Sequence, residues 1–254
     1  FTPDLMPADI TGTEVLEEDR TTGKRVFRFV HGPLFANMIL ADEINRTPPK
    51  TQAALLQAMQ ELSVTVGNET LELEPPFFVL ATQNPIEHEG TYPLPEAQLD
   101  RFLFNVLLDY LSSDDELAVV DRFTTRVDIP PVEACTNAEE IVKFQWLVRQ
   151  VPVSEAINRY AVNLVRATRP AEPGAPDVVK PSAKIDASAL ATVFLNLPKK
   201  ASALLEGRYH VTQDDVRKMA LPVLRHRVLC NYFAESDNMT VDDVLNQMLE
   251  QVRG

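Results

Sequence analysis

The stretch Met38-Ile-Leu-Ala-Asp42-Glu43 places four apolar residues directly before two acids. Such a run is typical of a buried strand that ends at the edge of a parallel sheet. There, one carboxylate can orient a Mg²⁺ ion and the other can act as a base towards water. We therefore interpret Asp42 as a candidate metal ligand and Glu43 as a candidate general base. Taken alone, these six residues also fit a strand that ends in two solvated acids.

A second apolar run, residues 76–81, ends at Thr82-Gln-Asn-Pro85, as the first run, residues 35–41, ends at the two acids. Residues 49–62 between them repeat apolar side chains at helical spacing. Alternating strand, helix and strand predict an α/β fold with a parallel sheet, whose ligands bind beyond the carboxyl ends of the strands. Asn84 is therefore a candidate for holding a water molecule or a phosphate oxygen. Its alternative role is that of a turn residue before Pro85.

The rest of the chain divides into further α/β elements and a helical half. Residues 63–73 alternate around Gly67-Asn68, which predicts a β-hairpin, and residues 102–108 are expected to form another strand. The helical patterns lie near residues 116–123, 138–150, 153–168, 186–206, 212–229 and 240–252. Pro198 and Pro222 fall inside these patterns and are expected to kink or end the helices. Residues 169–184 are expected to form an exposed loop because they are rich in proline.

Arg101 lies where a helical turn meets the expected strand at residues 102–108. A guanidinium at this position can reach across a subunit boundary and stabilise the charge of a transferred phosphoryl group. The alternative is a surface ion pair with the neighbouring Asp100. The sequence alone leaves both interpretations open.

Composition excludes several classes of protein. The 254 residues carry 24 Lys and Arg against 37 Asp and Glu, a net charge of −13, which argues against nonspecific nucleic-acid binding. The two cysteines, Cys135 and Cys230, are too few for a disulfide scaffold and are expected to be buried. No apolar run is long enough for a leader or a membrane span, so we expect a cytoplasmic protein. The eight glycines are spaced too widely for a P-loop or a dinucleotide-binding motif.

Several consecutive motifs resemble the MoxR family of AAA+ ATPases. In the first half these motifs are residues 1–12, Gly32-Pro-Leu-Phe-Ala-Asn37, Leu40-Ala-Asp-Glu-Ile-Asn-Arg46, Pro49-Lys-Thr-Gln-Ala-Ala-Leu-Leu56, Ala81-Thr-Gln-Asn-Pro-Ile86 and residues 89–102. In the second half they are Leu204-Leu-Glu-Gly-Arg208, Val211-Thr212, Asp215-Val216 and Leu224-Arg-His-Arg-Val228. The resemblance covers essentially the whole chain and is weakest across residues 170–203.

This resemblance implies an AAA+ core of the helix-2-insert clade, at residues 1–130, followed by a linker and an all-helical lid at residues 131–254. Asp42 and Glu43 match the Walker B motif, Asn84 matches sensor 1 and Arg101 matches the arginine finger. ATP and Mg²⁺ are then the expected cofactors, bound between the subunits of a homo-oligomeric ring that we expect to be a hexamer. Family members act as chaperone-like machines on protein partners, often together with von Willebrand factor A proteins.

Two departures from the family pattern affect the expected activity. The Walker A loop of the family lies upstream of the position that matches Phe1, so we expect the chain to start inside the ATPase core and to be inactive alone. Leu190 stands where the family has its sensor 2 arginine. A noncatalytic assembly subunit that lends Arg101 to a neighbour is therefore the alternative function. A DNA-remodelling motor fits less well, because the hairpin region carries Glu69, Glu72 and Glu74 and no Lys or Arg.

Overall fold

The computed structural model describes residues 1–18, 25–67, 69–84, 90–125, 131–172, 174–185 and 189–252. The elements of the first half are α1 (Pro7–Thr11), β1 (Gly12–Glu18), β2 (Arg25–His31), β3 (Met38–Ala41), a 3₁₀ turn (Ile44–Arg46), α2 (Pro49–Glu61), β4 (Ser63–Val66), β5 (Glu69–Glu72), β6 (Phe78–Ala81), α3 (Glu96–Leu99) and α4 (Ser113–Thr125). Those of the second half are α5 (Ala138–Gln150), α6 (Glu155–Ala167), α7 (Val179–Ser182), β7 (Ala183–Ile185), α8 (Ala189–Leu205), α9 (Gln213–Leu224), β8 (Leu229–Cys230), α10 (Tyr232–Ser236) and α11 (Val241–Gln251).

The two apolar runs form the parallel pair that the sequence predicts. β3 lies beside β6 in parallel, with Ala41 opposite Ala81. The expectation that these two strands are buried on both faces is wrong, however. One face joins the apolar core of the first half, whereas Met38, Leu40, Phe78 and Leu80 on the other face are each at least 50% exposed. Within the described residues this sheet face therefore lacks a cover.

Helix α2 packs against the buried face of this sheet. It begins with Pro49 at its first turn and buries Leu55 and Leu56 completely. Leu62 does not continue the apolar stripe, because it adopts a left-handed conformation with φ of 52°, ends the helix and is 48% exposed. The predicted hairpin follows directly as the antiparallel pair β4 and β5.

A second antiparallel hairpin, β1 and β2, has a tightly packed base and lies near residues 10–31, where the family resemblance implies the helix-2 insert. A Cβ atom on Gly12 would lie 2.3 Å from the carbonyl oxygen of Val30, and one on Gly32 would lie 2.4 Å from that of Ile10. The two legs of the hairpin can approach this closely because both crossing positions are glycine. Residues 19–24, which also fall within the expected insert, lie outside the described residues.

The expected strand at residues 102–108 is absent, which corrects the sequence prediction. This segment has no assigned helix or strand, and no described strand pairs with it to form a ladder. Val106, Leu107 and Leu108 are more than half exposed. The apolar sequence does not form a strand here because a strand requires a partner for its backbone hydrogen bonds.

The second half is helical, as predicted, with one departure. β7 pairs antiparallel with β8, so the expected all-helical lid contains a short two-stranded ribbon. The helices enclose their own apolar core, which includes Tyr160, Leu164, Leu195, Leu224 and Met248.

Three local expectations in the second half are wrong. Of the two outcomes expected at Pro198 and Pro222, a helix end is wrong, because α8 and α9 continue through both residues and packing outweighs the lost backbone hydrogen bond. The expected loop at residues 169–184 contains α7, and Val179 is 1% exposed because it packs into the lid core. Cys135 is exposed and Cys230 is half-buried. No helix in the described ranges has the length and apolar character that a membrane span requires.

Candidate functional site

The site is built around one hydroxyl group, that of Thr82, which follows β6 as Asp42 follows β3. Thr82 Oγ1 donates a hydrogen bond of 2.6 Å to Asp42 Oδ1 and accepts one of 2.8 Å from the backbone N–H of Glu43. The backbone continues this contact beyond the strands, because Thr82 N–H donates to the Ala41 carbonyl and Ile44 N–H donates to the Thr82 carbonyl. Both predicted acids are thus tied to the end of the neighbouring strand.

Glu43 has an unusual backbone conformation, with φ and ψ both 51°. A residue with a Cβ atom in this left-handed region costs on the order of 1 kcal/mol, and such strain is found preferentially at functional sites. The conformation turns the chain from β3 into the 3₁₀ turn, whose first residue, Ile44, is 1% exposed. Burial of Ile44 therefore holds Glu43 in this strained position at the sheet edge.

Arg46 pairs with the carboxylate of Glu43. The Arg46 Nη1 to Glu43 Oε2 distance is 2.8 Å, and both side chains are about one-third to two-fifths exposed, at 42% for Arg46 and 33% for Glu43. An ion pair this exposed contributes little to stability. It holds the Glu43 carboxylate on one side and leaves it within reach of solvent.

Buried amides connect this turn to Asn84 and to the following loop. Asn45, 8% exposed, donates from Nδ2 to the Asn84 carbonyl at 3.3 Å. Gln52 on α2, 1% exposed, donates from Nε2 to the carbonyls of Ile44 and Tyr92 at 3.1 and 2.9 Å. The structure therefore brings Asn84 to the same turn as the two acids, as the sequence predicts from the strand ends.

Arg101 lies just beyond α3 and contacts neither acid among the described residues. Its side chain is half-buried and has no hydrogen-bonded or ion-paired partner within those residues. The alternative ion pair with Asp100 is not formed, because Asp100 Oδ1 accepts a 2.7 Å hydrogen bond from Arg227 in the lid.

The donor set at the strand ends fits a magnesium ion that arrives with a nucleotide. Asp42 is exposed, and Thr82 occupies one of its carboxylate oxygens. No group of three or more His, Cys, Asp or Glu side chains that could hold a metal occurs in the part of the chain that the structure describes. One or two carboxylates completed by phosphates and water are the usual Mg²⁺ environment in nucleotide sites.

Sequence reasoning missed three residues of this arrangement: Thr82, Asn45 and Gln52. Thr82 could have been found from the sequence, because Thr82 and Asp42 are each the first residue after one of the two predicted strands. Asn45 and Gln52 act on backbone carbonyls from different parts of the chain. Their roles depend on the fold and leave no local pattern.

Comparison with known proteins agrees with this geometry. Residues 1–104 match the family model for the ATPase family associated with various cellular activities (AAA). Residues 176–248 match the model for the AAA lid domain. Together with the parallel strands and the helical second half, these matches define the class: an AAA+ ATPase core with its lid.

Relatives of known sequence narrow the class to one family. The chain is 40% identical to Chaperone MoxR1 of Mycobacterium tuberculosis over 252 residues, covering 99% of this chain and 65% of that protein. It is 39% identical to the YeaC protein of Bacillus subtilis over 253 residues, covering 100% of this chain and 75% of that protein. A crystal structure of a protein from Cytophaga hutchinsonii assigned as an ATPase superposes with a TM-score of 0.90 at 40% identity, covering 100% of this chain and 76% of that one. The chain belongs to the MoxR family of AAA+ ATPases.

Proposed function

We propose that this protein is an ATPase subunit that couples ATP binding and hydrolysis at subunit interfaces to the chaperone-like maturation or assembly of protein partners. The observation that carries the proposal is the Thr82 hydroxyl, which joins Asp42 and Glu43 at the aligned ends of β3 and β6. Ligands of parallel α/β sheets bind at this edge. We further propose residues 1–130 as the core and residues 131–254 as the linker and lid.

Each residue at the sheet edge has a distinct proposed role. Asp42 would hold Mg²⁺, which when bound neutralises charge on the β- and γ-phosphates. Glu43 accepts a proton from the attacking water, and its pairing with Arg46 holds the carboxylate in place without enclosing it. Asn84 donates or accepts through its neutral amide, which orients the water or a γ-phosphate oxygen without repelling either.

Arg101 is proposed to act on a neighbouring subunit. Its guanidinium has no hydrogen-bonded or ion-paired partner within the described residues, and a guanidinium suits the recognition of phosphate across an interface. In a ring of head-to-tail subunits, a residue on one face of a subunit can complete the site on the opposite face of the next. A homo-oligomeric ring, expected to be a hexamer, provides this geometry.

The exposed face of β3 and β6 supports an ATPase core with one more layer. Met38, Leu40, Phe78 and Leu80 lie on one face of the strand pair and are exposed, and the apolar residues 106–108 are also more than half exposed. Apolar surface of this extent requires a cover. We propose that a phosphate-binding strand and helix, which the family carries, occupy this place in the working enzyme.

The proposed clients are proteins rather than nucleic acids. One relative, MoxR1 of M. tuberculosis, is named a chaperone. Described residues of the β4–β5 hairpin region carry acidic side chains, including Glu69 and Glu72, which disfavour a phosphate backbone. Proteins with von Willebrand factor A domains are the candidate clients that the family resemblance suggests.

Hydrolysis by the full-length protein tests this proposal. Glu43→Gln should leave nucleotide affinity unchanged and lower kcat by at least about 10²-fold, because it removes the base and retains the side-chain shape. Glu61→Gln, at the end of α2, is the matched control and should keep wild-type turnover. Full turnover in the Glu43→Gln protein, or loss of nucleotide binding with it, would contradict the proposed role.

A noncatalytic assembly subunit is the second candidate. Leu190, at the start of α8, is 41% exposed and carries no charge where the family has its sensor 2 arginine. A subunit of this kind would bind its neighbour and stimulate the neighbour's hydrolysis through Arg101. Wild-type homomeric assemblies that bind ATP without turnover would favour this function over the first.

A further inference from the structure

We propose that Arg227, assisted by His226, is a positioning residue that couples the lid to Arg101. This inference rests on the proposed function, because it takes Arg101 to be the arginine finger. Arg227 follows α9 in the lid, whereas Arg101 follows α3 in the first half. The geometry points to a direct mechanical connection between the two.

Arg227 directs all five of its N–H donors at acceptors, four of which belong to residues 100–103. Its Nε donates to Asp100 Oδ1 at 2.7 Å, and its Nη2 donates to the carbonyls of Asp100 and Phe102 at 2.9 and 2.7 Å. Its Nη1 donates to the Leu103 carbonyl at 3.4 Å and to the Val223 carbonyl in the preceding helix, α9. Five N–H groups in a fixed fork are the full donor capacity of a guanidinium.

His226 makes a second bond to the same segment. Burial lowers its pKa to about 4, and the adjacent Arg227 acts in the same direction, so the ring is neutral at physiological pH. Its Nε2 lies 3.0 Å from the Phe102 carbonyl. The Nε2–H tautomer donates to that oxygen, since a carbonyl can only accept. The Phe102 carbonyl is therefore held by two lid side chains.

These contacts fix the backbone on both sides of Arg101, whose side chain has no hydrogen-bonded or ion-paired partner in the part of the chain that the structure describes. The carbonyls of Asp100 and Phe102, the residues before and after Arg101, are both bonded to Arg227. Arg227 is 5% exposed and stacks its guanidinium over Phe194 of α8, 4.7 Å from the ring centroid. The lid core thus fixes the position of the Arg227 guanidinium. The guanidinium in turn fixes the backbone next to Arg101.

Neighbouring contacts extend the connection without reaching Arg101. The Asn105 N–H donates to the Pro222 carbonyl at 2.8 Å, and Arg225 Nη1 donates to the Asn105 carbonyl at 3.0 Å. Movement of α9 must therefore move residues 100–105 with it or break several hydrogen bonds. The lid can then influence the neighbouring active site without a cation at the position of Leu190.

Mixed assemblies of the full-length protein test the inference. Glu43→Gln subunits have an inactive site and an intact finger, and Arg101→Ala subunits have the reverse. Mixing them should restore hydrolysis, because in a random 1:1 ring roughly one interface in four joins an intact site to an intact finger. Arg227→Lys, which keeps the charge and loses the fork, replaces Arg101→Ala in a second set of mixtures. Arg208→Lys, which alters an ion pair confined to the lid, is the matched control.

We expect Arg227→Lys subunits to behave like Arg101→Ala subunits in turnover and in the mixtures. Homomeric Arg227→Lys rings should lose on the order of 10²-fold in kcat with KM unchanged, since a displaced catalytic group affects the transition state. They should be rescued by Glu43→Gln subunits and not by Arg101→Ala subunits. A protein that is only less stable would behave alike in both mixtures. Arg208→Lys rings should keep wild-type kcat.

Three outcomes would overturn the inference. Rescue of Arg227→Lys by Arg101→Ala subunits would locate its defect in its own site. Wild-type kcat in Arg227→Lys rings would show that the finger needs no support. If the reference mixture of Glu43→Gln and Arg101→Ala subunits does not restore hydrolysis, Arg101 is not an arginine finger, and the proposed function fails at this point. If Arg227→Lys subunits do not assemble, His226→Leu, which removes one bond, enters the same mixtures with the same expected pattern at smaller amplitude.

Discussion

The hydroxyl of Thr82 donates to Asp42 and accepts from the backbone of Glu43, so one small side chain sets the positions of two acids. Thr82→Val keeps the β-branched shape and removes both hydrogen bonds. We expect kcat to fall by about 10-fold or more, since small displacements of catalytic groups are costly.

Two further variants make the Thr82 prediction specific. Thr82→Ser retains the hydroxyl and should keep most of the turnover. Thr65→Val, on the exposed face of the β4–β5 hairpin, should leave turnover at the wild-type level. Equal kcat values for Thr82→Val and the wild-type protein would show that this hydroxyl does not organise the site.

His226 predicts a dependence of stability on pH. Its folded-state pKa, about 4, lies below the ordinary value of 6.5 because the ring is buried. Between these values the unfolded chain binds more protons, so stability should fall as pH decreases from 6.5 towards 4, by up to about 3 kcal/mol. Urea unfolding at pH 7.5, 6 and 5 should show a shallower decline for His226→Gln than for the wild-type protein.

Other acidic groups act in a different pH range. The Arg208 guanidinium holds the pKa of the Asp215 carboxyl well below its usual range, so its contribution is lost only below about pH 4. A decline between pH 6.5 and 5 therefore reports on His226. Identical slopes for the wild-type and His226→Gln proteins would contradict this assignment.

At the residue scale, the sequence predicts that the two acids and Asn84 lie close together, because each follows an apolar run, and the structure places them at one turn. The alternative role of Arg101, a surface ion pair with Asp100, is not realised, because Asp100 pairs with Arg227, 126 positions beyond Arg101. The role of Thr82 depends on the register of β3 with β6. Such long-range choices are made by the fold, and no local pattern encodes them.

At the scale of elements, the base of the β1–β2 hairpin depends on the absence of side chains. Gly32→Ala would place a Cβ atom 2.4 Å from the Ile10 carbonyl oxygen and 2.5 Å from the Gly12 nitrogen. Because both are backbone atoms, the hairpin must shift, and we expect a loss of about 3 kcal/mol in the free energy of unfolding.

Gly174→Ala is the control for this substitution. A Cβ atom there would meet no other atom within 4 Å, so stability should change by less than about 0.5 kcal/mol. Thermal melting of both variants measures the difference. Equal melting temperatures would show that the hairpin base accommodates the added methyl group.

Helix α8 carries a buried lysine that lowers the stability of the lid. Lys199 is 0% exposed, and among the described residues its Nζ has only Asn158 Oδ1, at 3.0 Å, as a partner. Burial lowers its pKa to about 8, and the neighbouring Lys200 acts in the same direction. Lys199→Met should therefore stabilise the protein at pH 7, by about 2 kcal/mol, because it removes a desolvated charge.

The pH dependence of this effect has a definite sign. Between pH 8 and 10.5 the unfolded chain binds more protons at Lys199, so wild-type stability rises with pH and the advantage of Lys199→Met should shrink. Lys200→Met, on the partly exposed neighbour, should change stability by less than about 0.5 kcal/mol. A destabilised Lys199→Met protein at pH 7 would contradict this account.

Most elements were predictable from periodicity, and the exceptions share a physical cause. The helices of the lid follow from their apolar spacing, and α5 begins at its predicted boundary with Asn137 as the capping residue. The strand predicted at residues 102–108 is absent because a strand forms only beside another strand that accepts and donates its backbone hydrogen bonds. Pro198 and Pro222 failed as helix breaks because tertiary packing compensates for a lost backbone bond.

At the scale of the whole molecule, the described sheet of the first half has one exposed apolar face, whereas the helices of the second half enclose their own core. The sheet leaves Met38, Leu40, Phe78 and Leu80 exposed, whereas the lid encloses Leu164, Leu195 and Leu224 completely. Arg227 and the segment it holds join the two halves through bonds at a defined location. If the proposed function holds, activity at this scale should depend on what covers the exposed sheet face and on a neighbouring subunit that receives Arg101.

The most direct test is a structure of the assembled full-length protein with Mg²⁺ and a non-hydrolysable ATP analogue. We predict that the metal lies at Asp42 and the γ-phosphate beside Glu43 and Asn84. We also predict that Arg101 of the adjacent subunit contacts the same phosphate. A nucleotide bound away from the ends of β3 and β6, or a site completed without Arg101, would contradict these predictions.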